Sequence, residues 1–263
     1  VCYTSLDVAG PDRTRDRVLI ANERAAAIDR LALIVDGFTE CPALDVAAQR
    51  FCEAFYGEFP DTTLVRVFGT VPFANLGERE RRFVGALSTR EGEPFALDGG
   101  DPVLTLFGTR GIEPEWNDRL ASRDHLAIPL ASEEFVAEIP MISRLLSQLG
   151  FASIRARNGT WQFVSRLADG GDGLFFVGDA RTATDERGRL IIPAADFVDR
   201  YGVRTVFGFG GEAASQSMML AAIVFCRSVL PREEAERFAP LFGRLRDATA
   251  ALLRHQSLFA NGS

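Results

Sequence analysis

The sequence predicts an α+β domain built on an antiparallel sheet. Three observations carry this. Helical periodicity fills the stretch from Val18 to Tyr56, short alternating strands follow at Leu64–Phe68 and Val103–Phe107, and two apolar runs near the end, Val203–Phe209 and Met218–Arg227, flank a glycine-rich stretch and lead into a charged helix. Two helices, then strands, a late hairpin and a final helix describe an α+β layout with an antiparallel sheet.

Taken in order, residues 1–17 are polar and rich in Arg and Asp, and read as a flexible arm. Ile28, Leu31, Val35 and Phe38 then fall on one helical face within 18–39. A second helix is expected from Cys41-Pro42 through Phe51, Phe55 and Tyr56, with Pro42 at a first helical position, where its absent N–H costs nothing. Glu78–Leu87 is charged and helical. Residues 108–200 are less regular and read as a large central insertion within a single domain spanning 18–256. They hold the apolar runs Leu126–Leu130 and Leu174–Val177 and a strand-like Trp161–Val164. They also hold a helix opened by Ser132-Glu133-Glu134, kinked by Pro140 and ended at Gly150. Residues 257–263 read as a tail.

Composition narrows the function classes. The chain has 263 residues, 47% hydrophobic and 25% charged, and its longest apolar run, Met218–Cys226, is far too short to span a bilayer. No signal-peptide pattern opens the sequence, so a cytoplasmic protein is expected; the start at Val1 without Met suits a processed or excised piece. A net charge of −7 argues against nucleic acid or an anionic membrane as partner. The sequence contains no Lys at all, all 29 of its cationic residues being Arg, which excludes Schiff-base chemistry, the phosphate-loop lysine and the kinase strand lysine. Cys2, Cys41, Cys52 and Cys226 lack C-x-x-C spacing, and with only His125 and His255 a histidine-rich metal site is impossible.

Gly208-Phe-Gly210-Gly-Glu-Ala213 matches the loose G-x-G-x-x-A dinucleotide fingerprint, with Glu233 and Glu234 about twenty residues on. It lies too near the C-terminus for a doubly wound sheet, and Ile223-Val-Phe225 after it favours a strand, so the glycines read as a hairpin turn. A nucleotide-dependent enzyme is the third-ranked reading. In the terminal helix, 231–256, Phe238, Leu241, Leu245, Ala248 and Leu252 form a short seam that suits either this domain's own sheet or a second copy, with Pro240 bending the axis.

Candidate chemistry lies in 108–130. Trp116, Asn117, Arg119 and His125 put a stacking face, an amide, a fixed cation and an imidazole within ten residues, a set suited to a planar or anionic ligand. The alternative is structural: Trp116 in the core, Arg119 paired with Asp118 or Glu115, His125 capping a strand. No catalytic elbow or metal-binding H-E-x-x-H pattern occurs. Cys41-Pro42 has the form of a haem-ligating thiolate, with His125 as alternative or opposite axial ligand, which makes a haem-binding redox or gas sensor the second reading.

The runs Trp116-Asn117 to Pro129-Leu130, Pro140-Met141-Ile142 to Gln148-Leu149-Gly150, and Tyr201 to Gly211 resemble GAF-like sensor domains, the input modules that precede histidine kinases and related outputs in bacterial signalling proteins. The resemblance implies an antiparallel sheet with helices on one face and a pocket on the other. It transfers no ligand-binding residues. Met141, Arg204 and Phe209, from these runs, join Trp116, Asn117, Arg119 and His125 as the ligand-binding set. The leading expectation is a non-catalytic small-molecule sensor, homodimeric through its terminal helices, with the 108–200 insertion lining the pocket and the 231–256 helix passing the signal on. No kinase, phosphatase or cyclase follows Ser263, so the output is a removed domain or a separate partner.

Overall fold

The computed structural model describes residues 13–90, 97–123, 125–130, 133–155, 161–165, 172–213 and 218–260. Helices α1 (Arg13–Asp36) and α2 (Leu44–Glu58) lead into strand β1 (Thr62–Pro72), helix α3 (Glu78–Arg90) and strand β2 (Pro102–Gly111). Strand β3 (Ala127–Pro129), helices α4 (Glu133–Ala137) and α5 (Pro140–Gln148), and strands β4 (Phe151–Arg155), β5 (Trp161–Ser165) and β6 (Gly173–Val177) follow. Helix α6 (Ala195–Arg200), strands β7 (Thr205–Glu212) and β8 (Met219–Cys226), and helices α7 (Arg232–Glu236) and α8 (Ala239–Arg254) complete the described chain.

Six strands form one sheet in the order β3-β2-β1-β8-β7-β6, every pair antiparallel, and β4 and β5 form a separate ribbon. With helices flanking it, this is the expected GAF-like α+β fold. Side chains alternate between two cores, as the two-residue period of a strand requires. Along β8, Leu220, Ala222 and Val224 join α1, α2 and α8 in one core, while Met219, Ala221, Ile223 and Phe225 join α5, β6 and residues 180–203 in the other. We call these the helical face and the insertion face.

On the helical face, Leu31 and Val35 of α1 and Phe38 just after it are buried on the expected stripe. Phe242 of α8 lies 5.5 Å from Phe51 of α2 and stacks on Phe209 of β7 at 5.0 Å. Helix α2 sits flush on β2 because Gly108 has no side chain: a Cβ there would lie 2.4 Å from the Ala48 carbonyl carbon. Beside it the Gln49 amide donates to the Thr109 carbonyl and accepts from the Thr109 N–H, both at 3.1 Å.

Several expectations need correction. Helix α1 already runs from Arg13, inside the stretch read as an arm. Pro42 does not open α2; a 3-10 turn ends at Glu40 and Ala43 takes the N-cap position. Pro140 separates two helices instead of kinking one, because its ring cannot continue the α4 ladder but suits the first turn of α5. Pro240 does the same between α7 and α8. β2 runs on through Gly111, and β3 and β6 belong to the main sheet, so the irregular region is shorter than 108–200.

The glycines of 208–211 are not a turn. Gly208, Gly210 and Gly211 lie inside β7, paired with Ile223, Ala221 and Leu220, and the left-handed glycines among the described residues are Gly150, Gly188 and Gly202. Their role is clearance. A Cβ on Gly210 would meet Leu149 Cδ1 at 2.7 Å and Ala221 Cβ at 2.8 Å, and one on Gly208 would meet the Ala222 carbonyl oxygen at 2.4 Å. The next element is antiparallel β8, not a helix, so the dinucleotide fingerprint lacks the strand–turn–helix that would hold a pyrophosphate.

Candidate functional site

Described residues between Ile112 and Arg204 cover the insertion face, and the expected ligand residues can be located one by one relative to it. Trp116 lies in a 3-10 turn after β2, half-buried, with its ring 4.8 Å from Tyr201 and 5.6 Å from Phe197 at T-shaped angles. Phe197 continues edge-on to Phe225 of β8 at 5.6 Å, so the rings close one end of this core. The Tyr201 hydroxyl donates to Glu113 at 2.8 Å, and that carboxylate, with burial, holds the phenol above its ordinary pKa. Asn117 accepts the Gly111 N–H at 2.9 Å and fixes the turn.

Arg119 faces elsewhere. Its guanidinium meets Glu80 of α3 at 2.6 Å, and both side chains are largely buried. It also covers the Phe259 ring at 4.6 Å from the centroid. Its partner is thus neither Asp118 nor Glu115, the neighbours weighed from sequence. His125 is exposed before β3. Phe209 is buried in the helical-face core against Phe242, on the opposite side of the sheet from Trp116 and Met141. The seven candidates therefore do not converge on one pocket: Trp116 and Met141 share the insertion face, Phe209 is core on the other, and Asn117 and Arg119 brace the turn between β2 and β3.

Met141 remains half-buried against the insertion-face core on α5. One turn on, at helical i,i+3 spacing, is Arg144, whose Nε is buried without a hydrogen-bond partner among the described residues. Arg204 repeats the pattern: its Nε is also buried and unpartnered, and its Nη2 lies 3.8 Å from Asp179. Arg144 was not singled out from sequence. Its only signal was that spacing from Met141 within a helix whose buried face carries Ile142, Leu145 and Leu146. Glu80 was missed too, because nothing in the charged run of α3 marks it as the buried member.

Helix α5 itself is fitted closely to the sheet. Gly173 admits its end, since a Cβ there would lie 2.5 Å from Leu149 Cα, and the Gln148 side chain accepts the Phe176 N–H at 2.9 Å. Asp172, just before β6, pairs with Arg246 of α8 at 2.6 Å, which links the insertion to the terminal helix; burial raises its pKa more than Arg246 lowers it.

The expected space between sheet and insertion is occupied by side chains among the described residues, including Phe175, Leu145 and Leu149, each fully buried. A cavity of about 390 Å³ lies instead in the helical layer, lined by Ile34, Gly37, Phe38, Arg50, Glu53 and Ala54. Cys41 is buried beside it, its sulfur 3.6 Å from Arg50 Nη1, and His125 lies exposed before β3. Burial pushes the Cys226 thiol up to about 12 and the Cys52 thiol higher still. No three His, Cys, Asp or Glu side chains cluster as a metal site among the described residues, and no described helix is long and apolar enough to cross a membrane.

No protein-family model matches this chain, and no curated protein matches its sequence. Among solved structures it is similar to the phycoerythrobilin-bound and phycocyanobilin-bound GAF domains of a cyanobacterial phytochrome, each at 10% identity, TM-score 0.41, over 88% of this chain and 96% of that one. A biliverdin-bound protein in its far-red absorbing dark state gives 8% identity and a TM-score of 0.42, over 86% of this chain and 99% of that one. At these values the likeness carries no argument about ligand; the fold rests on strand order and layering.

Proposed function

We propose that this chain is a non-catalytic small-molecule-sensing domain whose ligand engages the insertion face and whose response leaves through α8. The observation that carries the reading is the buried Nε of Arg144, without a hydrogen-bond partner among the described residues, one helical turn from Met141. A buried donor left unpaired costs roughly 1–3 kcal/mol, and an acceptor brought by a ligand removes that cost. Arg204 Nε offers a second such donor. The ligand class is then a small anionic or carbonyl-bearing molecule, with Met141 an adaptable apolar wall. The Asp172–Arg246 pair supports a route from the insertion to α8, because displacement of β6 strains a contact with that helix.

Burial holds the thiols of Cys52 and Cys226 in their protonated form, so neither supplies a nucleophile in this reading. A cytoplasmic setting and a separate signalling partner remain part of the proposal. Homodimerisation through the α8 seam loses its support, since Phe238, Leu241, Leu245, Ala248 and Leu252 are all buried in this chain's own core. Self-association falls instead to the outward side of α1, where Leu33 and Ile34 are exposed. Native mass spectrometry of the purified chain tests the reading: a retained small molecule is expected, and a bare chain mass under conditions that keep the fold counts against it.

A further inference from the structure

The chain does not continue along the axis of α8. The helix stops at Arg254, Gln256 takes a left-handed φ of 53°, and the segment doubles back. It then caps a different helix. The Leu44 N–H donates to the Ser257 carbonyl at 2.8 Å, and the Asp45 N–H to the Leu258 carbonyl at 3.1 Å. Asp45 in turn accepts the Ala260 N–H at 3.0 Å. These bonds satisfy first-turn donors of α2 that the Ala43 side chain, at the N-cap, cannot reach. Leu258 is buried, and Phe259 stacks on Phe107 with ring centroids 5.3 Å apart at 18°. Its ring is covered by Arg119, which Glu80 holds in place.

We propose that residues 255–260 form a releasable strap, latched by Phe259 between Phe107 and Arg119, whose opening uncaps α2. The strap differs from the core it touches. Two apolar side chains, Leu258 and Phe259, seat it, while His255, Gln256 and Ala260 are exposed. Its hinge, Gln256, holds a backbone conformation that a residue with a Cβ disfavours. Opening breaks few contacts and relaxes that hinge, so it proceeds without unfolding the sheet. The latch joins two parts of the chain: Arg119 belongs to the turn that leads into the insertion, and Phe259 follows α8. Movement of that turn loosens Phe259 and with it the cap on α2. The strap stands on this geometry alone and does not depend on ligand on the insertion face.

Residue-resolved amide exchange on the wild-type chain and on Phe259→Ala tests the strap. In the wild type, Leu44, Asp45 and Ala260 are expected to exchange at least about tenfold faster than Phe51 and Cys52, through an opening that responds weakly to denaturant. Phe259→Ala is expected to speed Leu44 and Asp45 by at least a further factor of about ten and leave Phe51 and Cys52 unchanged. Exchange of Leu44 and Asp45 together with Phe51, with the same steep denaturant dependence, overturns the proposal, as does a Phe259→Ala chain in which they are unaffected. If the variant loses its fold, the wild-type denaturant series decides alone.

Discussion

The two faces of the sheet are covered in different ways. The helical face is covered by three long helices, α1, α2 and α8, and aromatic rings interlock from Phe55 and Phe51 of α2 through Phe242 of α8 to Phe209 of β7. The insertion face is covered by α4, α5 and α6, the longest of them nine residues, and by irregular chain between them. Short helices draw little stability from their own hydrogen bonds and depend on the packing beneath them. The first face is thus a scaffold, and the second, where the buried Nε atoms of Arg144 and Arg204 have no hydrogen-bond partner among the described residues, is the one the proposed ligand would engage.

Substitutions on the two faces should separate these roles. Phe242→Ala, on the scaffold, is expected to cost about 3–5 kcal/mol in chemical denaturation and to lower the stability of the whole chain. Glu80→Ala leaves Arg119 buried without its carboxylate and should cost about 3 kcal/mol in the same assay, with Glu80→Gln costing less. Gly210→Ala pushes against Leu149 and the β8 backbone; about 1–3 kcal/mol is expected. Its signature should be local: amides of α5 lose protection while those of α2 keep theirs. Equal loss on both faces would dissolve the distinction.

Smaller effects follow from the carboxylates. Asp179 is held below the usual range by the Arg181 N–H and by nearby arginines. Asp185 lies below it as well, the N–H groups of Arg189 and Arg187 and the Arg189 side chain outweighing desolvation. Their contribution is present above the unfolded value and lost as pH falls through the folded one. Asp172 is shifted the other way by burial, so its contribution grows as pH falls from its raised value toward the ordinary one. Asp172→Asn should therefore steepen the acid-side loss of stability in melting curves taken across the carboxylate range, by well under about 1 kcal/mol. Thiol labelling adds a check on burial: Cys52 and Cys226 should stay unmodified by iodoacetamide at about pH 8 until the chain unfolds.

Periodicity made much of the scaffold legible. Leu31, Val35 and Phe38, and the α8 seam from Phe238 to Leu252, are buried on the stripes their spacing marks out. The strands at Val103, Leu174 and Met219 lie where apolar runs announced them. What spacing could not convey was three-dimensional clearance. Gly208 and Gly210 look like turn residues in a string, yet they are flat places in β7 where backbone and Leu149 press close. Arg119 looked available for ligand because its buried partner, Glu80, lies 39 positions away. Phe209 sat in a glycine-rich run, and the alternation of β7 alone would have assigned it to the helical face had the strand been extended to Glu212. Arg144 was hidden because a single arginine in an amphipathic helix ordinarily points to water.

The central claim is that ligand engages the insertion face and not the cavity of the helical layer beside Arg50. Native mass spectrometry of Arg144→Ala and Arg50→Ala, side by side with the wild type, tests it most directly. The retained small-molecule mass should disappear in Arg144→Ala and persist in Arg50→Ala; loss from Arg50→Ala with retention in Arg144→Ala would contradict the account.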